Sequence, residues 1–384
     1  MRILQVIPVF SAPFGGPVTV VRSISKELAK KHEVTVYTTS ALDQRRDFKD
    51  SLFEVEPDGY HVVYFPRILR FSGLNVSPAM ARALKVTLGE FDIIHIHSWR
   101  HFQDIIVHHY AEKYGVPYVL QTHGSLPRIM AKRRLKWIYD FLFGYRLLRD
   151  ASKVVALSQM EAEQCRGMGV PEGKIEVIPN GIDLSEYSHL PPKGSFKKKF
   201  GIDDEEKVIL YLGRIHKTKG IDFLVKAYAY LVKNMKCNEA VLVIAGPDDG
   251  YLAEAKSLTG SLSISDHVLF TGFVSNEDKL KALVDADVFV TPSFYGFPVA
   301  FLEACATGTP IVTTTMGDML EWIDGNAGYV TSPTKHDLAK TTYAIISDNG
   351  LHRKFSSNCR KTVRSKFSLR KVVNRLEQVY RESC

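Results

Sequence analysis

Arg214 and Lys219 lie in the run LGRIHKTKG, between the apolar stretch KVILYL and a helix-like segment that Gly220 opens. A guanidinium grips phosphate oxygens as a fork and an ammonium adds a point charge, so two such cations at a helix start form a clamp for a diphosphate. A solvated loop with surface charges is the plainer reading, and the position directly after an apolar stretch favours the clamp. Glu303 stands in FLEACATG, beside Ala304, Ala306 and Gly308. A carboxylate among small residues is costly to bury unless donors satisfy it, and the two vicinal hydroxyls of a ribose would do so. A helix cap or a salt bridge is the alternative. Gly15 and Gly16 precede Pro17, a residue suited to a first helical position. Free N–H groups there attract an anion or a substrate, although two glycines also suit a simple tight turn.

Other groups could hold a metal. His95 and His97 alternate on one strand face and, with His101, offer imidazoles that zinc accepts. Asp248 and Asp249 could bind a magnesium nucleotide or cap a helix. The segment LPRIMAKRRLKWIYDFLFGYRLLRD interleaves Arg128, Lys132, Arg133, Arg134 and Lys136 with Trp137, Tyr139, Phe141, Phe143 and Tyr145. Such a stretch from Arg128 to Tyr145 can lie on an anionic membrane surface or frame the mouth for a lipid-linked acceptor. It can also bury its rings in a core and leave its cations outside.

The elements that must position these residues are those of an α/β protein. The chain has 384 residues, long enough for two domains, with 45% hydrophobic and 24% charged residues, which excludes global disorder and a small stapled module. A formal charge of +8 favours phosphate-bearing or anionic partners without demanding nucleic acid. The cysteines, Cys165, Cys237, Cys305, Cys359 and Cys384, are scattered and odd in number, as in a reduced cytosolic protein. There is no signal-peptide pattern at the start. No segment approaches the ~20 apolar residues of a membrane span, so membrane contact would be peripheral, on the inner face.

Apolar runs at Ile3–Val9, Val34–Thr38, His61–Phe65, Asp92–His97, Tyr118–Thr122, Lys153–Ala156 and Ile175–Ile178 alternate with helical segments, the pattern of a buried parallel sheet. A non-periodic stretch, IPNGIDLSEYSHLPPKGSFKKKF, reads as a linker. The alternation resumes in KVILYLG, AVLVIAG, HVLFTG, DVFVTP and PIVTT. The expected domains are 1–185, 186–367 and a C-terminal helix over 368–384 that crosses back to the first. In open α/β sheets ligands bind outside the carboxyl ends of the strands, and the residues singled out fall there.

The pairing of LGRIHKTKG with PSFYGFPVAFLEACATGTPIV, preceded by VIPNGID and FTGFVSNED, resembles glycosyltransferase family 4, retaining nucleotide-sugar transferases of GT-B fold. The resemblance covers nearly the whole chain. It implies two Rossmann-like parallel-sheet domains facing a cleft, the first on the acceptor side and the second holding the donor. Arg214 and Lys219 would grip the donor diphosphate, and Glu303, matching the second Glu of a paired-Glu motif, the ribose. Gly296, Phe297, Pro298 and Val299 would lie along the diphosphate and sugar, and Gly272, Phe273 and Val274 along the base. His123 in QTHGS would approach the donor sugar, and Gly16 matches the N-terminal glycine loop. Counting back eight residues from Glu303 reaches Tyr295, where the family has its first Glu, so the donor sugar is the property most affected.

The resemblance implies metal-independent, front-face transfer from a UDP- or GDP-sugar to a saccharide or lipid-linked acceptor, in surface glycan or glycolipid synthesis. The paired carboxylates of a retaining glycosidase are not evident. Two other readings remain open: a nucleotide-sugar binder without turnover, and a GT-B epimerase that consumes donor without an acceptor.

Overall fold

The computed structural model describes residues 1–11, 15–41, 52–71, 74–97, 99–128, 132–318 and 320–384. Contacts divide the chain into one unit of Met1–Gly181 with Leu369–Cys384, and a second of Ile182–Ser368.

In chain order the first unit contains β1 (Arg2–Val6), β2 (Glu33–Thr39), β3 (Leu52–Val55), β4 (His61–Phe65), β5 (Leu69–Phe71), β6 (Leu74–Val76), β7 (Ile93–His97), β8 (Tyr118–Gln121), β9 (Lys153–Ala156) and β10 (Ile175–Val177). Its main sheet runs β10-β9-β8-β7-β1-β2-β4-β3. The apolar runs form its parallel ladder because helices cover both faces, and β7 is buried at every position. The strand order reverses between β1 and β7, which opens a crevice beyond their carboxyl ends. Three strands depart from the all-parallel expectation. β3 pairs antiparallel with β4 at the sheet edge, and β5 and β6 form a separate hairpin. They are short, and Phe53 and Val55 of β3 are each 60% exposed, so no buried apolar run announces them.

The second unit contains β11 (Lys207–Leu212), β12 (Ala240–Ala245), β13 (Val268–Gly272), β14 (Val288–Phe294), β15 (Ile311–Gly317) and β16 (Gly328–Thr331). They form one parallel sheet in the order β13-β12-β11-β14-β15-β16, with the switch between β11 and β14. The half-buried β16 was not marked by an apolar run. Beyond β11 and β12 the backbones nearly touch: a Cβ on Gly246 would stand 2.0 Å from the Gly213 carbonyl oxygen, which leaves room only for glycine.

The stretch read as a linker is packed structure. Ile182 N–H donates to the Phe367 carbonyl at 2.9 Å. The helix Ser195–Phe200 starts on the buried Asp285 carboxylate, which accepts from Gly194 N–H at 2.6 Å, Phe196 N–H at 2.7 Å and Lys197 N–H at 3.0 Å. A cap supplied by a residue so distant in the chain has no local signature.

The C-terminal helix Leu369–Ser383 packs in the first unit through Leu369, Val372, Val373, Leu376, Val379 and Tyr380. Its Glu377 accepts from Lys31 Nζ at 3.1 Å, and the Tyr380 hydroxyl meets His95 Nδ1 at 2.6 Å. A Cβ on Gly181 would come within 2.9 Å of Leu369 Cα, so the chain leaves and re-enters this unit through one tight crossing.

Candidate active site

In the second unit the switch between β11 and β14 gathers the basic run and the glycine-bearing loop. After β11 the chain passes Gly213 and a short turn, Lys217–Lys219, whose start is capped by His216 Nδ1 accepting from Thr218 N–H at 3.2 Å. Gly220 has φ 69° and packs on Pro292 of β14, so the turn and the strand end are in contact. Arg214 is anchored twice. Its Nη1 donates to Asp249 at 2.6 Å, and its carbonyl accepts from the Tyr211 hydroxyl at 3.0 Å. Lys219 is half-buried; its backbone N–H donates to the His216 carbonyl at 2.9 Å, and its ammonium has no hydrogen bond or ion pair among the described residues. Burial, with Arg214 nearby, holds its ammonium below the ordinary lysine value. A partly buried ammonium without a counter-charge among the described residues can accept an anion.

β14 ends at Phe294, and Tyr295–Pro298 leads to the helix Val299–Thr307, whose start carries no side-chain cap. Among the described residues the Val299 and Ala300 N–H groups have no acceptor and can meet an anion, whereas Phe301 N–H donates to the Pro298 carbonyl at 3.2 Å. Gly296, with φ 75°, donates its N–H to the buried Asp318 carboxylate beyond β15. The Phe297 ring turns inward against Trp322 and Phe367, so this residue offers the loop only its backbone. Glu303 is 7% exposed and is salt-bridged: Lys279 Nζ donates to Oε1 at 2.5 Å. Burial and the adjacent Glu303 carboxylate raise the Tyr187 phenol far above its ordinary value. Gly272 has φ 70° and accepts from Gly246 N–H at 2.8 Å; Phe273 beside it is 72% exposed and Val274 half-buried. Asp318, Lys279 and Tyr187 escaped the sequence reading, because each reaches the site from another element, and Asp249 was read as a metal or capping residue and not as the partner of Arg214.

In the first unit Gly16 opens the helix Gly16–Ala29 after Gly15 at φ 85°, while residues 12–14 of the glycine loop lie outside those described. His123 follows β8 at φ 50°, a conformation a non-glycine residue adopts only when its surroundings enforce it. Buried Glu161 does so, accepting from Thr122 Oγ1 at 2.6 Å, Gly124 N–H at 2.7 Å and Leu157 N–H at 2.7 Å. His97 contacts His123 Nε2 through Nδ1 at 3.1 Å and Gln5 Oε1 through Nε2. Burial pushes the His95 ring down to about 3 and His123 to about 4, and His97 falls well below its ordinary value, so all three rings are neutral at pH 7.

The residues weighed as metal ligands are engaged in other contacts. Both ring nitrogens of His97 and Nδ1 of His95 are engaged in hydrogen bonds, and His101 caps the helix Phe102–Tyr114, so the imidazoles do not converge as ligands. Asp248 caps the turn before the helix Leu252–Ser261, accepting from Gly250, Tyr251 and Leu252 N–H, and Asp249 pairs with Arg214. His108, Glu112 and Asp150 also cluster, cross-braced by Arg146 and Arg149.

A model described as Glycosyltransferase Family 4 matches residues 14–186, and one described as Glycosyl transferases group 1 matches 192–362. An uncharacterized glycosyltransferase of Methanocaldococcus jannaschii is 30% identical over 323 residues, 79% of this chain and 79% of that relative. The chain belongs to glycosyltransferase family 4.

This glycosyltransferase is also 27% identical over 297 residues to the UDP-Gal:alpha-D-GlcNAc-diphosphoundecaprenol alpha-1,3-galactosyltransferase of Escherichia coli, covering 76% of this chain and 75% of that one. Its two parallel-sheet units share the GT-B fold of Anabaena HepE, solved in complex with UDP and glucose, at TM-score 0.80, 19% identity and 98% coverage of each chain. The basic aromatic stretch of the enzyme is split between two environments. Tyr139, Leu147 and Leu148 enter the core, whereas Phe141 is 66% and Trp137 53% exposed, and their rings stack at 5.6 Å. Leu135, Ile138, Leu142, Phe143 and Tyr145 are exposed beside them, which corrects the core reading for that face. Arg128 is not a free surface cation, because it donates to buried Asp140 at 2.7 Å; residues 129–131 lie outside those described. Among the described residues no helix is long and apolar enough to cross a membrane.

Proposed function

We propose that this glycosyltransferase moves a hexose-type sugar from a UDP- or GDP-linked donor to a saccharide or lipid-linked acceptor, with retention of anomeric configuration and without a metal ion. The observation that carries the reading is Lys219, a half-buried ammonium without a partner among the described residues, beside Arg214 at the switch between β11 and β14. In the reaction the bond between the anomeric carbon and the diphosphate oxygen breaks, the acceptor oxygen bonds to that carbon, and the acceptor proton passes to the departing diphosphate. Charge grows on the diphosphate, where Lys219, Arg214 and the free amides at the start of Val299–Thr307 meet it. Glu303, steadied by Lys279, takes the ribose hydroxyls, and Gly272, Phe273 and Val274 line the base. Tyr295 and the backbone of Gly296, Phe297 and Pro298 lie along the sugar. The family resemblance gives Gly16 and His123 a contact with the sugar.

Thermal stabilisation by UDP, GDP, ADP and their sugar conjugates in the presence of EDTA tests the donor site. Selective stabilisation by one nucleotide, lost in Glu303→Ala and Arg214→Ala, is expected; none with any nucleotide overturns the reading. The anomeric configuration of the first product, read by proton NMR, tests retention separately.

The exposed face around Trp137 and Phe141, flanked by exposed Arg133 and Arg134, docks on an anionic bilayer, where the cations meet lipid headgroups and the rings enter the acyl boundary. Replacing both Trp137 and Phe141 by Ala should weaken binding to phosphatidylglycerol-containing vesicles at least about tenfold, since each buried ring contributes roughly 1.5–3 kcal/mol. Wild-type protein that stays unbound at low salt would sink this part of the proposal.

A further inference from the structure

Gln5 on β1, His95 and His97 on β7, His123 after β8 and Tyr380 on the C-terminal helix form one hydrogen-bonded chain inside the first unit. Gln5, His95, His97 and Tyr380 are almost fully buried. A neutral imidazole carries a single N–H, so the roles along such a chain are linked. The Gln5 amide turns its Nε2 toward the Tyr380 hydroxyl at 3.5 Å and its Oε1 toward His97 Nε2. Amide oxygen only accepts, so the His97 proton sits on Nε2 and His97 Nδ1 is an acceptor. The 3.1 Å contact between His97 Nδ1 and His123 Nε2 then needs a donor, and His123 Nε2 must supply it. His123 Nδ1 is left with a lone pair, has no hydrogen-bond partner among the described residues and belongs to a half-buried ring held at φ 50°.

We propose that Gln5 and His97 are positioning residues that lock His123 in its Nε2–H tautomer, so that Nδ1 is presented as a hydrogen-bond acceptor for a sugar hydroxyl and not as a donor to phosphate. The inference rests on the reading that His123 faces substrate. The bare nitrogen accepts from a hydroxyl and is repelled by the lone pairs of a phosphate oxygen. The C-terminal helix has a part in the site as well, because Tyr380 holds the Gln5 amide in the orientation that starts the chain.

Nitrogen-15 NMR of the intact protein labelled at histidine tests the assignment without any substitution. The expected spectrum has His123 protonated at Nε2 and bare at Nδ1, with His97 in the same tautomer. A wild-type His123 protonated at Nδ1, as a turned-over Gln5 amide would produce, overturns the proposal. In Gln5→Leu the His123 signals should shift toward a mixture of tautomers and kcat/KM should fall about tenfold, the value of one hydrogen bond. Thermal stabilisation by UDP should be unchanged in that variant. Gln5→Glu, which keeps an acceptor toward His97, should restore both the spectrum and the rate. A Gln5→Leu protein that loses UDP stabilisation in parallel with activity would show a structural role only. Absence of turnover by the wild type with any donor would defeat the transferase reading, whereas turnover with the opposite tautomer would defeat this inference alone.

Discussion

Lys219→Ala is expected to lower kcat/KM by about 10²–10³-fold, the loss typical of removing one preorganised group from a developing oxyanion. Folding stability should hold or rise slightly, because the substitution removes a cation whose burial nothing among the described residues offsets. Arg214→Ala should cost less, since the Arg214 side chain is 48% exposed and is already shared with Asp249. The pH dependence follows from the direction of the Lys219 shift. Its folded-state value lies below that of the unfolded chain, so the uncharged form is favoured on folding and stability increases as the pH rises through the lowered value. A bound diphosphate favours the charged form. UDP affinity should therefore weaken as the pH rises through the Lys219 value, and this dependence should vanish in Lys219→Ala. Calorimetric titration against pH checks it. A Lys219→Ala enzyme within about threefold of wild type would refute the clamp.

Asp140→Ala should be the most damaging change to stability, with a loss of about 3–5 kcal/mol in urea unfolding, the range for a buried ion pair deprived of one partner. Asp140 is fully buried in the π-helical turn Asp140–Gly144. Its two oxygens receive Arg100 Nε and Nη2, each at 2.8 Å, and Arg128 Nε at 2.7 Å. Arg100, at φ 69°, also donates to the carbonyls of Ser125 and Leu126 at 2.7 Å, so this carboxylate braces the loop that follows His123. Removing it leaves the Arg100 guanidinium, only 9% exposed, without a counter-charge. Asp140→Asn should fall between wild type and Ala, because the amide can still accept but carries no charge. A loss for Asp140→Ala below about 1 kcal/mol would mean that water replaces the lost partner.

The strand scaffold and the place of the candidate donor-site residues were legible in the amino-acid order. Continuous apolar runs such as KVILYL and AVLVIA can only be buried strands, and a strand in an open α/β sheet delivers the loop after it to the ligand edge, so Arg214, Lys219 and Glu303 could be named from position and type. Short elements with little buried apolar surface, β3, β5, β6 and β16, left no comparable trace. What surrounds each functional side chain was decided only in three dimensions. Glu303 meets Lys279, Arg214 meets Asp249, Gly296 meets Asp318, and the helix Ser195–Phe200 starts on Asp285, each partner arriving from another element. The same holds for Trp137 and Phe141, whose helical spacing suits a core as well as a surface until the neighbouring elements are in place. Local periodicity is written along the chain because backbone hydrogen bonds and burial repeat every two to four residues. Pairing between distant side chains has no such period, and it is the tertiary fold that joins His95 and His97, residues whose types alone also allowed a metal, in a hydrogen-bonded chain ending at His123.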